Sequence, residues 1–174
     1  MGSKGLLKAI AIVALVFGIL GVIGGIMGLV GSGIMGSLSS LGGGNMTPEA
    51  KEAMAFIESI GTYTMITGLI GLVVSIGYLI GGIKLFTVTE SGRSRLSLAA
   101  YLGVLNAVEN AVIQFAFVGP AMEKFYKAMG IPGMGGALGG MMGIVSLICG
   151  LIVPLFFIIG LRAGSVKEQF ESAS

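Results

Sequence analysis

Four polar side chains recur at helical spacing inside an otherwise apolar stretch of this 174-residue chain. They are Asn106, Glu109, Asn110 and Gln114. Positions i, i+3, i+4 and i+8 share one broad face of an α-helix, so we call this set the polar stripe. Glu109 lies near the centre of the apolar residues 97–120, where an ionised carboxylate would be costly. We expect its carboxyl to be protonated or hydrogen-bonded by the stripe amides, with Ser75, Tyr78 and Ser146 as further partners.

The polar stripe is compatible with two kinds of chemistry. Amides and an acid can hold helices together in lipid, where each such hydrogen bond contributes about 0.6 kcal/mol. A carboxyl group inside a membrane can instead mark a pathway for protons or cations. The sequence favours the structural interpretation, and the transport interpretation stays open.

Several residue types that catalytic and metal sites use are missing. The chain has no His, no Asp and no Trp, and its single cysteine is Cys149. Catalytic triads that need His, disulfide frameworks and Cys/His zinc sites are therefore excluded. We expect no catalytic residues, no cofactor and no bound metal. Ten scattered Lys and Arg residues and a net charge of +2 give no indication of nucleic-acid binding.

The segment Asn106-Ala-Val-Glu109-Asn110 resembles the N-x-x-E-N element of the membrane-associated glutathione and eicosanoid transferases, which also have four spans. That resemblance would imply a membrane-bound transferase. The family also places an arginine one turn before the first Asn, where this chain has Leu102. Enzymatic activity therefore ranks behind the other interpretations, and we expect the protein not to be an enzyme.

The composition is that of a membrane protein. Hydrophobic residues make up 55% of the chain, charged residues only 10%, and the mean hydropathy is +1.01. Soluble domains carry about 25% charged residues. Four apolar stretches of about the length that a bilayer requires appear, at residues 7–30, 61–84, 97–120 and 138–161. We predict an all-α integral membrane four-helix bundle that forms a single four-span domain over residues 1–174.

Two of the helices are expected to be longer than a membrane is thick. Thr47-Pro48-Glu49 is a typical helix start, and no strong breaker follows before Phe86. A helix over these residues would measure about 58 Å, against a bilayer core of about 30 Å. The third helix should run from Arg95 to Met129, interrupted only at Gly119-Pro120. The segments 31–60 and 121–137 should form an outer helical cap, with 31–44 as an extension of the first helix.

The distribution of basic residues predicts the orientation. One side of the four spans carries seven basic residues: Lys4, Lys8, Lys84, Arg93, Arg95, Arg162 and Lys167. The other side carries three: Lys51, Lys124 and Lys127. Because Lys and Arg accumulate on the cytoplasmic side, we expect a multi-pass protein of the plasma membrane with both termini in the cytoplasm.

Small residues recur every three, four or seven positions in three of the spans, and such stripes allow helix backbones to approach closely in lipid. The predicted packing residues are Gly24, Gly28, Ser32 and Gly36 in the first helix, including its extension beyond the span; Gly68, Gly71, Ser75 and Gly82 in the second; and Gly139, Gly143, Ser146 and Gly150 in the fourth. Their spacing does not distinguish contacts within one chain from contacts between subunits. Pro154 should bend the fourth helix.

These features favour a small membrane scaffold or accessory subunit that self-associates or docks on a larger membrane complex through its glycine-rich helix faces. The expected partners are the lipid bilayer and either further copies of the chain or the subunits of such a complex. The alternative is a proton- or cation-conducting subunit that uses Glu109.

Overall fold

The computed structural model describes residues 3–42, 47–128 and 130–171, which are almost entirely helical and contain no strand. The elements are α1 (Ser3–Gly42), α2 (Pro48–Phe86), α3 (Glu90–Ile113), a π-helical turn (Gln114–Val118), α4 (Gly119–Ala128), α5 (Met134–Arg162) and α6 (Gly164–Glu171). The expectation of an all-α chain is confirmed.

Four helical stretches are long and apolar enough to cross a membrane, and each overlaps one of the four predicted spans. They are Gly5–Val30, Met65–Phe86, Glu90–Lys124 and Met134–Arg162. The expected extension of the first helix is also present, because α1 continues to Gly42.

Helix α2 begins and ends where its sequence requires. It starts at Pro48, and the Lys51 N–H donates to the Thr47 carbonyl at 3.0 Å, closing the first turn. At its end, Val88 and Thr89 donate to the carbonyls of Leu85 and Lys84. This pattern is a Schellman motif, which places its central residue in the left-handed region. Val88 has φ of 49°, an uncommon backbone conformation for a β-branched residue.

The third helix changes its hydrogen-bonding pattern at the predicted interruption. Proline at position 120 has no N–H, and its ring crowds the carbonyl four residues before it. A π-helical turn precedes Pro120, and in it the Gly119 N–H donates to the Gln114 carbonyl, five residues back. The helix thus passes Pro120 without ending, and α4 follows directly.

A glycine turn separates α4 from α5. Gly130 has φ of 81°, and Ile131 donates to the Tyr126 carbonyl at 2.9 Å, a second Schellman motif. Gly133 also has positive φ, at 86°, immediately before α5 begins at Met134.

The chain groups into two compact units. The first comprises Met1–Ile26, Leu69–Asn106 and Cys149–Ser174, and the second comprises Met27–Gly68 and Ala107–Ile148. The expectation of one four-span domain therefore stays a prediction. In the first unit, α1, α2, α3 and α5 surround a core with fully buried Ile10, Leu85, Leu96 and Phe157.

Helix α6 completes the core of the first unit and was not predicted from the sequence. Its Val166 and Phe170 are buried at 0% and 5% exposure, while Lys167 and Glu168 between them are exposed. This i, i+4 pair gives α6 one apolar face, which packs on the ends of the longer helices.

Candidate functional site

Glycines hold α1 close to α2 in the first unit. A methyl group placed on Gly18 would lie 2.7 Å from Leu79 Cγ, and one on Gly25 would lie 3.1 Å from Leu72 Cδ1. Gly21 faces Ser75 equally closely, and Ser75 Oγ donates back to the Gly71 carbonyl at 2.8 Å. Ser75 therefore satisfies its own hydroxyl within α2. Ser75 and Gly71 are among the predicted packing residues, and Gly21 and Gly25 lie beside the predicted glycines of the first helix.

The same unit packs α2 against α3 through a second set of small residues. A methyl group on Gly77 would lie 2.7 Å from Ala99 Cβ, and one on Gly81 would lie 2.9 Å from Leu96 Cβ. On the other side of α2, Gly82 lies against Ala14 of α1. The predicted residues Gly71 and Gly82 are thus both in contact with a neighbouring helix, with Asn106 Nδ2 at 3.5 Å from a methyl group on Gly71.

In the second unit, the glycines of α5 contact the α3–α4 segment. A methyl group on Gly139 would lie 2.7 Å from the Gly119 Cα, and one on Gly143 would lie 2.9 Å from the Phe115 ring. Gly135 is pressed against the backbone of Met122 in the same way. Since these three glycines are four residues apart, they form one continuous contact face of α5.

The other predicted packing residues do not show such close contacts. No heavy atom of another described residue lies within 4 Å of a methyl group placed on Gly24 or Gly28. Gly68 makes only ordinary contact with Leu29, at 3.8 Å. Ser146 is exposed and Gly150 is half-buried. The side-chain surroundings of Ser32 and Gly36 lie outside the described residues.

The residues of the polar stripe differ in their surroundings. Asn106, in the first unit, and Asn110, in the second, are half-buried and take part in interactions within the chain. Gln114 is half-buried and opens the π-helical turn. Glu109 is exposed, and no hydrogen bond or ion pair joins its carboxyl to another described residue.

The expected partners of Glu109 have other neighbours. Tyr78 is 6% exposed and packs edge-on against Phe157, with ring centroids 5.0 Å apart. Its hydroxyl lies beside Gly103, close to Pro154. Ser75 bonds to its own helix and Ser146 is exposed, as described above.

A second carboxylate holds the turn before α5. Glu123 accepts hydrogen bonds from the N–H groups of Gly133, at 2.8 Å, and Gly136, at 2.6 Å. Glu123 lies three residues beyond the apolar stretch 97–120. The Gly136 and Gly133 hydrogen bonds, with a smaller effect from Lys127, hold the pKa of the Glu123 carboxyl below its ordinary value. Glu123 thereby caps the N-terminus of α5 from a neighbouring helix.

Basic side chains of the first unit are paired with aromatic rings. The Arg162 guanidinium lies 6.0 Å from the Tyr101 ring centre and donates to the Tyr101 hydroxyl at 2.5 Å. Arg93 lies 5.6 Å from the Phe170 ring of α6 and forms an ion pair with Glu90 at 3.3 Å. These contacts join the end of α5 to α3, and the beginning of α3 to α6. These contacts were not predicted from the sequence.

Among the described residues, no group of three acidic, Cys or His side chains could hold a metal ion. Comparisons with protein-family models, with curated proteins and with solved structures found no match to this chain.

Proposed function

We propose that this protein is a small multi-pass membrane scaffold or accessory subunit, located in the plasma membrane with both termini in the cytoplasm. Membrane insertion is supported by the distribution of apolar side chains. Only 22–33% of each apolar helical window is buried inside the chain. Large apolar side chains on the outward faces of these helices would be costly in water and are stable in lipid. In this arrangement the helices run several turns beyond the outer membrane face.

Self-association is the second part of the proposal, and one observation carries it. Among the described residues, nothing lies within 4 Å of a methyl group placed on Gly24 or Gly28, four residues apart on α1, although the nearby Gly18, Gly21 and Gly25 contact α2. The side chains next to them are large, apolar and exposed, with Ile23 at 51% and Met27 at 69%. A small-xxx-small pair on an outward face allows a second helix to approach closely in lipid. The partner helix belongs to another copy of the chain or to a larger complex.

The test measures the native mass of variants at the two α1 glycines and of a control variant at a glycine of α5. Gly24→Leu combined with Gly28→Leu should abolish or weaken the oligomer, because the added side chains separate the backbones. Gly140→Leu is the matched control, since Gly140 also faces open space but lies on α5. It should leave the mass unchanged. A wild-type protein that is monomeric in both mild detergent and nanodiscs would reject self-association.

The alternative function is a proton- or cation-conducting subunit, and the exposure of Glu109 favours it. An exposed carboxyl near the centre of a span is accessible to a moving ion or proton if a partner or water covers that face. Gln has almost the shape of Glu and keeps a donor and an acceptor, but it cannot titrate. Glu109→Gln should therefore remove flux in liposomes if the residue conducts.

Under the scaffold proposal, Glu109→Gln should leave folding and assembly unchanged, and neither the wild type nor the variant should show flux above protein-free liposomes. A folded Gln variant that loses a flux present in the wild type would reject the scaffold as the main function. Glu109→Ala serves as the second variant, since it removes the hydrogen-bonding group as well as the titration.

A further inference from the structure

The charged side chains of the first unit are strongly unbalanced. Its sequence contains seven basic and three acidic residues, whereas the second unit contains three basic and five acidic residues. One of the three acids, Glu90, already pairs with Arg93. Lys8, Arg95 and Arg162 are exposed, and no carboxylate of the described residues lies within ion-pair distance of them. The first unit therefore carries cationic groups that its own chain does not neutralise.

Two of these cations, Arg95 of α3 and Arg162 of α5, lie at about the same level. The contacts between the glycines of α5 and the α3–α4 segment run in opposite chain order, so α5 is antiparallel to α3. In the first unit, a methyl group on Gly103 would lie 3.0 Å from Pro154 Cγ, which sets the register of the two helices. Eight residues from this contact, in the same spatial direction, are Arg95 on α3 and Arg162 on α5.

The third cation, Lys8 of α1, belongs to the same level. Helices α1 and α3 both run antiparallel to α2, so α5 is antiparallel to α1 as well. A methyl group on Gly160 of α5 would lie 2.8 Å from Ile10 Cδ1 of α1. Two residues from this contact, toward the same end, are Lys8 on α1 and Arg162 on α5. Three exposed cations from three helices thus share one level at this end of the first unit.

Each of the three cations adjoins an apolar surface. An exposed apolar side chain lies three or four residues from each cation, toward the middle of its span; these side chains are Ile12, Leu98 and Ile159. Residues at this spacing share one helix face, so each face is cationic at the end of the unit and apolar beside it. A phospholipid has the same division, with its phosphate group next to its acyl chains. A soluble anion has no group to place against the apolar part.

We propose that Lys8, Arg95 and Arg162 bind the phosphate groups of anionic phospholipids, whose acyl chains cover the adjoining apolar side chains. The inference rests on the proposed membrane location and orientation, which put this end in the cytoplasmic leaflet, and it names the lipid class and the site of contact. Anionic lipids of that leaflet attract basic side chains near the membrane surface. The Arg162 guanidinium is oriented by its hydrogen bond to the Tyr101 hydroxyl, and its remaining N–H groups can donate to a phosphate.

An introduced fluorophore tests this contact at one place. The chain has no tryptophan, so Ile159→Trp adds a single indole one turn from Arg162. The variant is reconstituted in phosphatidylcholine vesicles that contain a fixed fraction of either brominated phosphatidylglycerol or brominated phosphatidylcholine. Because bromine quenches the indole on contact, the quenching measures which lipid occupies the site. Phosphatidylglycerol should bind at least about fivefold more tightly than phosphatidylcholine, as expected for one cation near an anionic lipid.

Charge-removing variants in the Ile159→Trp background locate the site. Arg162→Gln should lower the preference for phosphatidylglycerol about fivefold, and Arg95→Gln should lower it in the same direction. Arg162→Lys keeps the charge and should keep most of the preference. Lys124→Gln is the matched control, because it removes the same charge from an exposed residue of the second unit, and it should change nothing. Thermal melts show whether each variant is folded.

Three results would overturn the inference and leave the membrane location intact. Equal quenching by the two lipids before any charge is removed would show that the site has no preference for anionic lipid. An equal loss of preference in Lys124→Gln and Arg162→Gln would assign the effect to net charge. A preference that both Arg162→Gln and Arg95→Gln leave unchanged would place the anionic lipid elsewhere. The absence of quenching by either lipid would instead reject the membrane location on which the inference rests.

Discussion

A single carboxylate orders the connection between α4 and α5. Both oxygens of Glu123 accept backbone N–H groups, from Gly133 and Gly136, at the point where the first N–H groups of α5 have no partner within the helix. Gly130 and Gly133 provide the left-handed backbone that this tight reversal needs. The carboxylate thus compensates for the backbone freedom that the glycines bring to the turn.

Glu123→Gln should loosen this turn at neutral pH. An amide presents one oxygen in place of two and carries no charge, so at least one N–H loses its acceptor. Hydrogen exchange at Gly133 and Gly136 should accelerate, while exchange in the core of the first unit should not change. Equal protection in both proteins would contradict the cap.

The pH dependence of the same contact has a definite sign. The hydrogen bonds lower the pKa of Glu123 in the folded protein, so their stabilisation is complete above the ordinary carboxyl pKa. It is lost as the pH falls through the lower, folded-state pKa. The difference in protection between wild type and Glu123→Gln should therefore be largest at neutral pH and disappear in acid. A difference that persists in strong acid would show that the charge is not responsible.

Single residues were predictable where chemistry alone identifies them. The central position of Glu109 in its span follows from counting apolar residues, but its exposure depends on the rotation of α3, which spacing leaves undetermined. The Glu123 cap joins residues ten and thirteen apart across a turn. A helix-start pattern spans only three or four residues, so no local pattern could predict this contact.

At the scale of elements, local chemistry was enough to predict the bounds of α2, whereas the predicted start of the third helix at Arg95 was wrong, because α3 already begins at Glu90. The expected helix from Pro48 to Phe86 is observed with those limits, because the capping sequence starts it and a Schellman motif ends it. The interruption at Gly119-Pro120 was expected, but its form was not. In the π-helical turn, the Gly119 N–H donates to the Gln114 carbonyl, five residues back. Whether a proline produces such a turn or ends the helix depends on the packing of the neighbouring turns, which the sequence pattern does not show.

Neighbouring glycines on α5 provide a sharp test of the packing face. Gly139 touches the Gly119 backbone and Gly140 faces open space. Gly139→Ala should therefore destabilise the protein by about 1–3 kcal/mol through overpacking. Gly140→Ala should stabilise it by about 0.4–1 kcal/mol, because alanine restricts the unfolded chain.

Reversible unfolding in mixed micelles measures the free energy of unfolding of both variants. It should be lower than that of the wild type for Gly139→Ala and higher for Gly140→Ala. Gly135→Ala provides an independent repeat, since its methyl group would meet the Met122 backbone. Similar effects at positions 139 and 140 would contradict the assigned face. The spacing of the stripe indicated that α5 packs closely, but it could not show which of two adjacent glycines touches a neighbour.

At the scale of the whole molecule, orientation depends on charge. In the proposed topology, seven basic residues lie on the side of the termini and the α2–α3 connection, and three lie on the opposite side. Some of the seven also have structural contacts, since Arg162 lies over Tyr101 and Arg93 over Phe170. Aromatic rings and basic groups are typical of the membrane–water interface. These pairs therefore support a position at that interface for the end of α5 and the beginning of α3.

The orientation leads to a labelling prediction in intact cells. In a Cys149→Ser background, single cysteines at Ser3, Ser91 and Ser172 should resist a membrane-impermeant maleimide, because the proposed orientation puts both termini and the α2–α3 connection in the cytoplasm. A cysteine at Asn45 should react, since the same orientation puts the α1–α2 connection outside. Permeabilised cells are the control, and all four positions should react there. Labelling of both termini in intact cells would reverse the orientation, and labelling of only one of them would require an odd number of spans.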